Sequence, residues 1–152
     1  MIGRDSSTYD PLRNMGYMLN RLRAQMLAAI DGELAADEQL GFLRVSSAES
    51  AVIAMLALGR GKLAADLCKA LSYDPGAMTR VIGRLESKGL VRRNRGGQDR
   101  RRVPLELTEA GKAMFPKMHE ISMRVTSRFL RPFTDAEVRQ LEMFLGRALE
   151  SI

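Results

Sequence analysis

Apolar residues recur at helical spacing through most of the chain, and they alternate at strand spacing in one stretch. In the first long helix, which Pro11 is placed to begin, the apolar residues fall three and four positions apart, as in a helix that packs on another helix. A helix of roughly twenty residues is about 30 Å long, so we expect its stripe to pack against a second copy of the chain. The stripe comprises Leu12, Met15, Leu19, Leu22, Met26 and Ala29.

Three further helices have recognisable starts. Ser46 and Glu49 form a capping box, in which each side chain satisfies a free backbone N–H of the other residue. A short helix over residues 62–71 is followed by a turn, after which Asp74 and Pro75 supply an N-cap and a first-turn proline. A short helix, a tight turn and a second capped helix are typical of a helix-turn-helix pair. The second helix places four apolar residues on one face: Met78, Val81, Ile82 and Leu85.

The alternating stretch follows this pair. Residues 91–94 and 101–107 are predicted strands, because every second residue from 103 to 107 is apolar. The residues between them contain Gly96 and Gly97 and several arginines, so they are predicted to form the tip of a basic hairpin. A basic hairpin directly after a helix-turn-helix pair is the arrangement of a winged helix-turn-helix unit.

Two helices close the chain. Thr108 caps a helix that is predicted to reach about Leu130, and Pro116 inside it is expected to bend it. Thr134 and Glu137 form a second capping box at the start of the last helix. The predicted fold is mainly α with a small β-wing, a winged helix-turn-helix flanked by N-terminal and C-terminal dimerisation helices. We assign residues 1–45 to the N-terminal dimerisation helix, 46–107 to the winged helix-turn-helix and 108–152 to the C-terminal dimerisation helices, in one compact chain.

Positive charge is concentrated between Gly76 and Arg102. This stretch holds nine Lys and Arg and two acids, a balance of +7, whereas the whole chain carries +6 at pH 7. Local positive charge indicates a polyanionic partner, here double-stranded DNA. An anionic membrane would instead favour a basic amphipathic helix. Because no apolar run reaches the length of a membrane span and no signal-peptide core is present, we expect no membrane partner and a cytoplasmic location.

The DNA-contacting residues are predicted on the second helix of the pair and on the wing. Arg80 and Arg84 are four residues apart and therefore project from one face, and an arginine can contact guanine through two hydrogen bonds. The alternative is a solvated face that contacts phosphates only. The predicted contacts are Asp74, Pro75, Gly76, Ala77, Thr79, Arg80 and Arg84 on the helix, and Arg93, Arg95, Gln98, Asp99, Arg100, Arg101 and Arg102 on the wing.

The sequence does not favour an enzyme. It has no phosphate-loop glycine pattern and no arrangement of a nucleophile with a base. With one Cys and one His, no spacing suggests a metal site, and we expect no cofactor. Cys68 is a candidate redox switch because Lys69 is adjacent and a nearby cation can activate a thiol; packing in the core is the alternative.

Two motifs connect the recognition helix, the wing and the following helix. Residues 74–93 read D-P-x-x-M-T-R-x-I-x-R-L-E-x-K-G-L-V-x-R, and residues 99–112 read D-R-R-x-x-P-L-x-L-T-E-A-G-K. In these motifs the chain resembles the MarR (multiple-antibiotic-resistance regulator) family of bacterial transcription factors, and the order of elements extends the resemblance over nearly the whole chain. The chain departs from the family pattern at Gly76 and Ala77, which replace a Ser/Thr pair, and at Ser72, where a turn glycine is more common.

The resemblance implies a homodimeric repressor that releases DNA when a small aromatic or phenolic effector binds, or when a cysteine is oxidised. It also implies that Asp99 pairs with Arg101. The helix after the wing often borders the effector pocket in this family, and Arg21 is placed to pair with a ligand carboxylate; a surface or interface role is the alternative. The candidate pocket residues are Tyr17, Asn20, Arg21, Met55 and His119.

The sequence therefore predicts a sequence-specific DNA-binding regulator, a ligand-responsive homodimeric repressor of a near-palindromic operator. Its two recognition helices would lie about 34 Å apart, one turn of the duplex. An architectural DNA-binding protein without base readout is one alternative, and it would bind any duplex with a steep salt dependence. A protein-interaction module is the other, and it would not bind DNA at moderate salt.

Overall fold

A computed structural model describes residues 10–97, 99 and 102–152 of the protein. The described chain is mainly α with a small two-stranded sheet, as predicted. Pro11 does not begin the first long helix: it starts a 3₁₀ turn at Pro11–Arg13, and the helix begins at Met15 after the Asn14 cap. The elements are α1 (Met15–Ala36), α2 (Glu38–Phe42), α3 (Ser47–Ala57), α4 (Ala64–Leu71), α5 (Pro75–Ser87), β1 (Val91–Arg93), β2 (Leu105–Leu107), α6 (Glu109–Leu130) and α7 (Asp135–Glu150).

Helices α3, α5, α6 and α7 begin where the sequence places capping side chains. Both predicted capping boxes form, at the starts of α3 and α7. The Asp74 carboxylate caps α5 by accepting a hydrogen bond from the Ala77 N–H at 2.9 Å. Thr108 caps α6, which ends at Leu130 as predicted and continues through Pro116. Each of these signals acts within four residues, so a local pattern is enough to locate it.

Four described residues have a positive φ just after a helix: Arg44, Gly59, Ser72 and Gly89. Gly89 follows α5 with a φ of 69°, which glycine adopts without strain because it has no Cβ. Ser72 ends α4 with a φ of 54°. The serine thus occupies the position where a turn glycine is more common, and it holds the sharp turn between α4 and α5 at some steric cost.

The core lies where α3, α5 and α6 meet. All four residues that were predicted to face inward from α5 are buried. They pack with residues from α3 and α6, with Leu34 at the end of α1, and with the base of the wing. The most deeply buried apolar side chains are Leu34, Leu40, Val52, Ile53, Leu67, Met78, Ile82, Leu85, Leu90, Val91, Leu105, Met118, Ile121 and Val125.

The wing strands are shorter than predicted. β1 and β2 pair antiparallel over three residues each, against the predicted spans 91–94 and 101–107. Pro104 ends the ladder because it has no N–H to donate, although its carbonyl still accepts a hydrogen bond from the Asn94 N–H at 2.8 Å. The predicted wing residues that lie outside the described part of the chain are Gln98, Arg100 and Arg101.

The start of α6 packs directly on the base of the wing. The Thr108 hydroxyl donates to the Gly89 carbonyl at 2.6 Å. A Cβ added to the buried Gly111 would lie 2.1 Å from the Leu90 carbonyl oxygen, so the two backbones approach as closely as a glycine allows. The turn after α5, the wing and the start of α6 therefore form one packed unit.

The two ends of the chain are packed differently from its middle. α7 has no buried residue, and α1 buries only Leu34. Glu33 ties α1 to α6, because its carboxylate accepts hydrogen bonds from Arg124 at 2.7 Å and from Arg128 at 2.8 Å. The exposed apolar residues of these two helices and their flanks are Leu12, Met15, Tyr17, Met18, Leu19, Leu22, Met143, Phe144, Leu145, Leu149 and Ile152. None of the described helices is both long enough and apolar enough to cross a membrane.

Candidate nucleic-acid interface

The outward face of α5 is polar and open to solvent. Its inward face is apolar and buried, so the helix is fixed in the core along one side and presents the other. Thr79, Arg80, Gly83, Arg84 and Ser87 are all exposed. They recur at three- and four-residue spacing, which places them along one stripe of the helix. The prediction that Arg80 and Arg84 project from one face of α5 is confirmed.

Arg80 and Arg84 lie on this stripe but differ in their surroundings. Arg80 is exposed and makes no hydrogen bond or ion pair with the described part of the chain. Arg84 donates its Nε–H to Oε1 of Glu49 at 2.9 Å, and its side chain is 50% exposed. Arg80 is therefore an exposed cation with no partner in the described part of the chain, whereas Arg84 is held at one end by a residue of α3.

Glu49 accepts three hydrogen bonds although its side chain is only 1% exposed. Besides Arg84, Lys88 donates from Nζ to Oε2 at 2.5 Å, and the Ser46 N–H donates to the same oxygen at 3.2 Å. Lys88 also donates to the Arg44 carbonyl at 2.8 Å. A buried carboxylate is costly unless it is paired and hydrogen-bonded, and this one meets both conditions.

The first turn of α5 holds the other predicted helix contacts. The Asp74 carboxylate is engaged as the cap, and the Thr79 hydroxyl donates to the Pro75 carbonyl at 2.8 Å. The Thr79 methyl and the exposed Gly76 remain at the surface, and Ala77 is half-buried. The polar side chains of Asp74 and Thr79 are therefore already engaged in hydrogen bonds with the backbone of α5.

The described wing carries paired and exposed cations. Arg93 donates its Nε–H to Glu86 of α5 at 2.9 Å, which ties the wing to the helix. Arg95, Asp99 and Arg102 are exposed, and the Arg102 N–H donates to the Asp99 carbonyl at 3.2 Å. The expected Asp99–Arg101 pair involves a residue outside the described part of the chain, so it stays a prediction.

Glu106 is the acidic partner on the outer side of the wing. Its pKa is held below the ordinary value, mainly by the hydrogen bond that Asn94 donates at 2.6 Å and then by that from Arg92 at 3.3 Å. The carboxylate therefore stays ionised and neutralises Arg92.

The residues predicted for an effector pocket lie on three different helices, α1, α3 and α6. Tyr17, Asn20 and Arg21 are exposed on α1, and Met55 is half-buried against the core. His119 is exposed on α6, with its ring 5.6 Å from that of Phe115. A cavity of about 620 Å³ lies instead between the end of α3, the wing and the start of α6, and none of the five candidates lines it.

Cys68 is half-buried and packs against the core, which fits the packing alternative for this residue. Within the described ranges, no cluster of three or more His, Cys, Asp or Glu could hold a metal ion.

Comparison with known proteins identifies the family to which this chain belongs. A sequence profile described as MarR family matches residues 45–102. The HTH-type transcriptional repressor NicR of Pseudomonas putida is 31% identical over 147 residues, which is 97% of this chain and 89% of NicR. The chain belongs to the MarR family.

Solved structures of MarR-family proteins agree over nearly the whole chain. A mutant of Escherichia coli MarR in complex with operator DNA has a TM-score of 0.78 at 26% identity, covering 95% of this chain and 99% of that one. The Mycobacterium tuberculosis MarR-family protein Rv2887, in complex with salicylic acid, has a TM-score of 0.69 at 26% identity, with coverage of 89% and 96%. The resemblance drawn from the two motifs is confirmed: this is a DNA-binding transcriptional regulator and not an enzyme.

Glu49 and Lys88 are the residues of this MarR-family surface that the sequence did not identify as part of the site. In the sequence, the S-x-x-E pattern already accounts for Glu49 as part of a helix cap, and that cap does form. Its second role depends on Arg84 and Lys88, which are 35 and 39 residues away. The sequence does contain one signal for these ion pairs. Glu49 directly precedes residues that are predicted to be buried, and a buried glutamate requires a cationic partner.

Proposed function

We propose that this protein is a homodimeric repressor that places α5 of each subunit in the major groove of a near-palindromic operator. The single observation that carries the proposal is the exposed polar stripe of α5, with Arg80 and Arg84, on a helix whose other side is buried. Recognition helices of helix-turn-helix proteins contact base edges with their N-terminal residues. The proposed helix contacts are Asp74, Pro75, Gly76, Ala77, Thr79, Arg80 and Arg84.

The wing extends this surface to the DNA backbone and the minor groove. Arg93 lies nearest to α5 through its bond to Glu86, whereas Arg95 and Arg102 are exposed further out. Cationic side chains are favoured by phosphates and by the negative potential of a narrow minor groove. The proposed wing contacts are Arg93, Arg95, Gln98, Asp99, Arg100, Arg101 and Arg102.

The dimer is proposed to form through the terminal helices. Proteins of this family act as dimers, and the exposed apolar residues of α1 and α7 form surfaces that water solvates poorly. Pairing these helices through one face each, which on α7 carries Leu141, Leu145 and Leu149, would bury the apolar residues of those faces and would set the separation of the two α5 helices. In this arrangement residues 1–45 and 108–152 form the dimerisation layer and 46–107 form the DNA-binding unit. The proposed site of action is bacterial DNA in the cytoplasm.

The effector is proposed to be a small aromatic or phenolic acid. The similarity to Rv2887, whose structure contains salicylic acid, supports this ligand class. The proposed pocket residues are Tyr17, Asn20, Arg21, Met55 and His119. Because the first three are exposed on α1, a helix of the proposed dimer layer, the second subunit is proposed to complete the pocket. Oxidation of Cys68 is a separate proposed route to release, and the half-buried position of this residue against the core makes it the weaker one.

The proposal is tested by binding to a labelled duplex from upstream of the protein's own gene, with a scrambled duplex of equal length as the control. Fluorescence anisotropy at several salt concentrations should show a preference of about a thousandfold or more at physiological salt. Two subunits should bind per site. Equal affinity for both duplexes would indicate an architectural protein, and no binding at moderate salt would indicate a protein-interaction module.

Salicylate is then titrated into the complex with the specific duplex. Release at a concentration that leaves the dimer intact supports the effector proposal, and Arg21→Ala should weaken that release without changing DNA affinity. If salicylate releases DNA equally from wild type and from Arg21→Ala, the proposed role of Arg21 is wrong. If salicylate releases nothing, this ligand is not the effector, and the DNA-binding function stands on the first measurement.

A further inference from the structure

One buried carboxylate on α3 controls two cations of the proposed recognition helix. Glu49 accepts the Nε–H of Arg84 at 2.9 Å and the Nζ–H of Lys88 at 2.5 Å. Arg84 and Lys88 are four residues apart, so both lie on the same side of α5. Their shared attachment to α3 restricts rotation of α5 about its own axis, in addition to the apolar packing of its other side.

The contact fixes the direction of Arg84 as well as its position. A guanidinium is planar, so a hydrogen bond at Nε sets the plane of the whole group. The two terminal nitrogens of Arg84 have no partner within the described chain, and half of the side chain is exposed. Arg84 is therefore held by its inner nitrogen, Nε, while its two outer nitrogens remain available as donors. Because the side chain is already ordered, less conformational entropy is lost when these donors form two hydrogen bonds to a base.

The same contact reduces the attraction of this region for DNA in general. The carboxylate offsets one of the two cations beside it, and Lys88, whose side chain is only 18% exposed, is directed inward to Glu49 and to the Arg44 carbonyl. Affinity for any duplex depends on the number of cations that can reach phosphates. An acid beneath a DNA-binding helix is unfavourable for that term, so any benefit of Glu49 to DNA recognition has to lie in geometry.

From this juxtaposition we infer that Glu49 is a positioning residue that increases sequence discrimination by orienting Arg84, and that it weakens non-specific binding at the same time. The inference rests on the proposed function, because it assumes that α5 reads the operator. A purely structural role for Glu49, as a helix cap and core ion pair, would change the fraction of folded protein and would affect all duplexes alike.

Glu49→Gln separates the two roles. Glutamine keeps the size of the side chain and an oxygen that can accept from the Ser46 N–H, but it removes the charge that holds Arg84 and Lys88. The probes are a duplex enriched by the wild-type protein from a random-sequence pool and its scrambled counterpart. We expect the preference for the enriched duplex to fall by about tenfold or more, the discrimination of one well-oriented arginine.

Binding to the scrambled duplex should move in the opposite direction. Release of Arg84 and Lys88 lets them reach phosphates, so we expect tighter binding and a salt dependence steeper by about one unit of slope. Equal losses of affinity for both duplexes, with an unchanged slope, would assign Glu49 a structural role only and overturn the inference.

Glu33→Gln is the matched control. Glu33 also holds two arginines, Arg124 and Arg128, but both belong to α6, and the substitution makes the same change in net charge. We expect this variant to retain the wild-type preference. A loss of preference as large as that of Glu49→Gln would show that charge alone is responsible, which would also overturn the inference.

Arg84→Lys keeps the inference testable if Glu49→Gln does not fold. Lysine preserves the charge next to Glu49 but has no planar group to orient, so affinity for the enriched duplex should fall while affinity for the scrambled duplex stays the same. Unchanged affinity for both would overturn the inference. If the wild-type protein enriches no duplex, the proposed function fails; if it does and the Glu49→Gln preference is unchanged, only the role of Glu49 fails.

Discussion

The winged unit and the terminal helices use similar apolar patterns for different purposes. In α5 the apolar stripe is buried, and every member contacts the core of its own chain. In α7 a stripe of comparable spacing contains no buried residue, and the first half of α1 is exposed as well. Helical periodicity shows that a stripe will be covered, but it does not show whether the same chain covers it.

The exposed surfaces of these two regions also differ. The winged unit presents a polar, cationic stripe on α5. Water solvates this stripe well, and a bound polyanion would replace that water. The terminal helices present Leu, Met and Phe side chains, which favour burial against another apolar surface. The winged unit buries its apolar stripe within its own chain, whereas the terminal helices leave theirs exposed in the single chain. Substitutions in the two regions should therefore have different effects on dimerisation, stability and DNA binding.

Leu145→Asp should have the largest effect, because it places a charge in the proposed dimer interface. Leu145 is 40% exposed in the single chain and shares a face of α7 with Leu141 and Leu149. We expect dissociation to monomers and a loss of operator affinity of about a hundredfold or more, since two linked sites bind far more tightly than one. Sedimentation velocity and anisotropy measure the two effects.

Met143→Asp is the control for this substitution. Met143 is 50% exposed, and its position two residues from Leu145 turns it to nearly the opposite side of the helix. This variant should remain dimeric. If both variants are dimeric and bind the operator normally, the terminal helices are not the dimer interface and the contrast between the two regions is wrong.

Gly111→Ala tests how tightly the winged unit is packed. An added Cβ would meet the Leu90 carbonyl at 2.1 Å, and overpacking of this kind costs about 1–3 kcal/mol. Gly83→Ala is the matched change at an open helical position, with no atom within 4 Å of the added Cβ, and it should stabilise by about 0.5–1 kcal/mol. Denaturant unfolding of the free protein gives both values. Equal effects in the two variants would mean that the junction between the wing and α6 is looser than the structure shows.

The parts of this molecule that the sequence predicts are those with local causes. The caps of α3, α5, α6 and α7 lie within a few residues of the backbone groups they satisfy, and the inward face of α5 follows from its own period. Arg80 and Arg84 were placed on one face for the same reason. The ion pairs could not be found in this way, because Glu33 and Arg128 are 95 residues apart and Glu49 and Arg84 are 35 apart. Such pairs depend on how the helices pack, which the spacing of one helix does not encode.

Arg80→Ala tests the cationic surface of the winged unit. Because Arg80 has no partner in the described part of the chain, its removal leaves no unpaired charge behind and should not change stability. We expect a loss of about 1–3 kcal/mol in operator binding and a smaller loss with scrambled DNA. Equal losses with both duplexes would show that Arg80 contacts phosphates only. The contacts to base edges would then have to come from other residues of α5.

Glu33→Gln should have the smallest effect, and it tests how α1 is tied to the rest of the chain. The hydrogen bond from Arg124, together with the charges of Arg124 and Arg128, holds the pKa of Glu33 below its ordinary value. A carboxylate with a lowered folded-state pKa stabilises the fold above the unfolded pKa of about 4.3, and that contribution is lost as the pH falls through the folded pKa. The difference in melting temperature between wild type and Glu33→Gln should thus be small and constant above about pH 5 and should vanish on further acidification.

The other acids with lowered pKa values, Glu106 and Glu137, are common to both proteins and cancel in the comparison. A difference that persists unchanged to pH 3 would mean that Glu33 contributes by packing rather than by charge, and that α1 is joined to α6 by more than this ion pair.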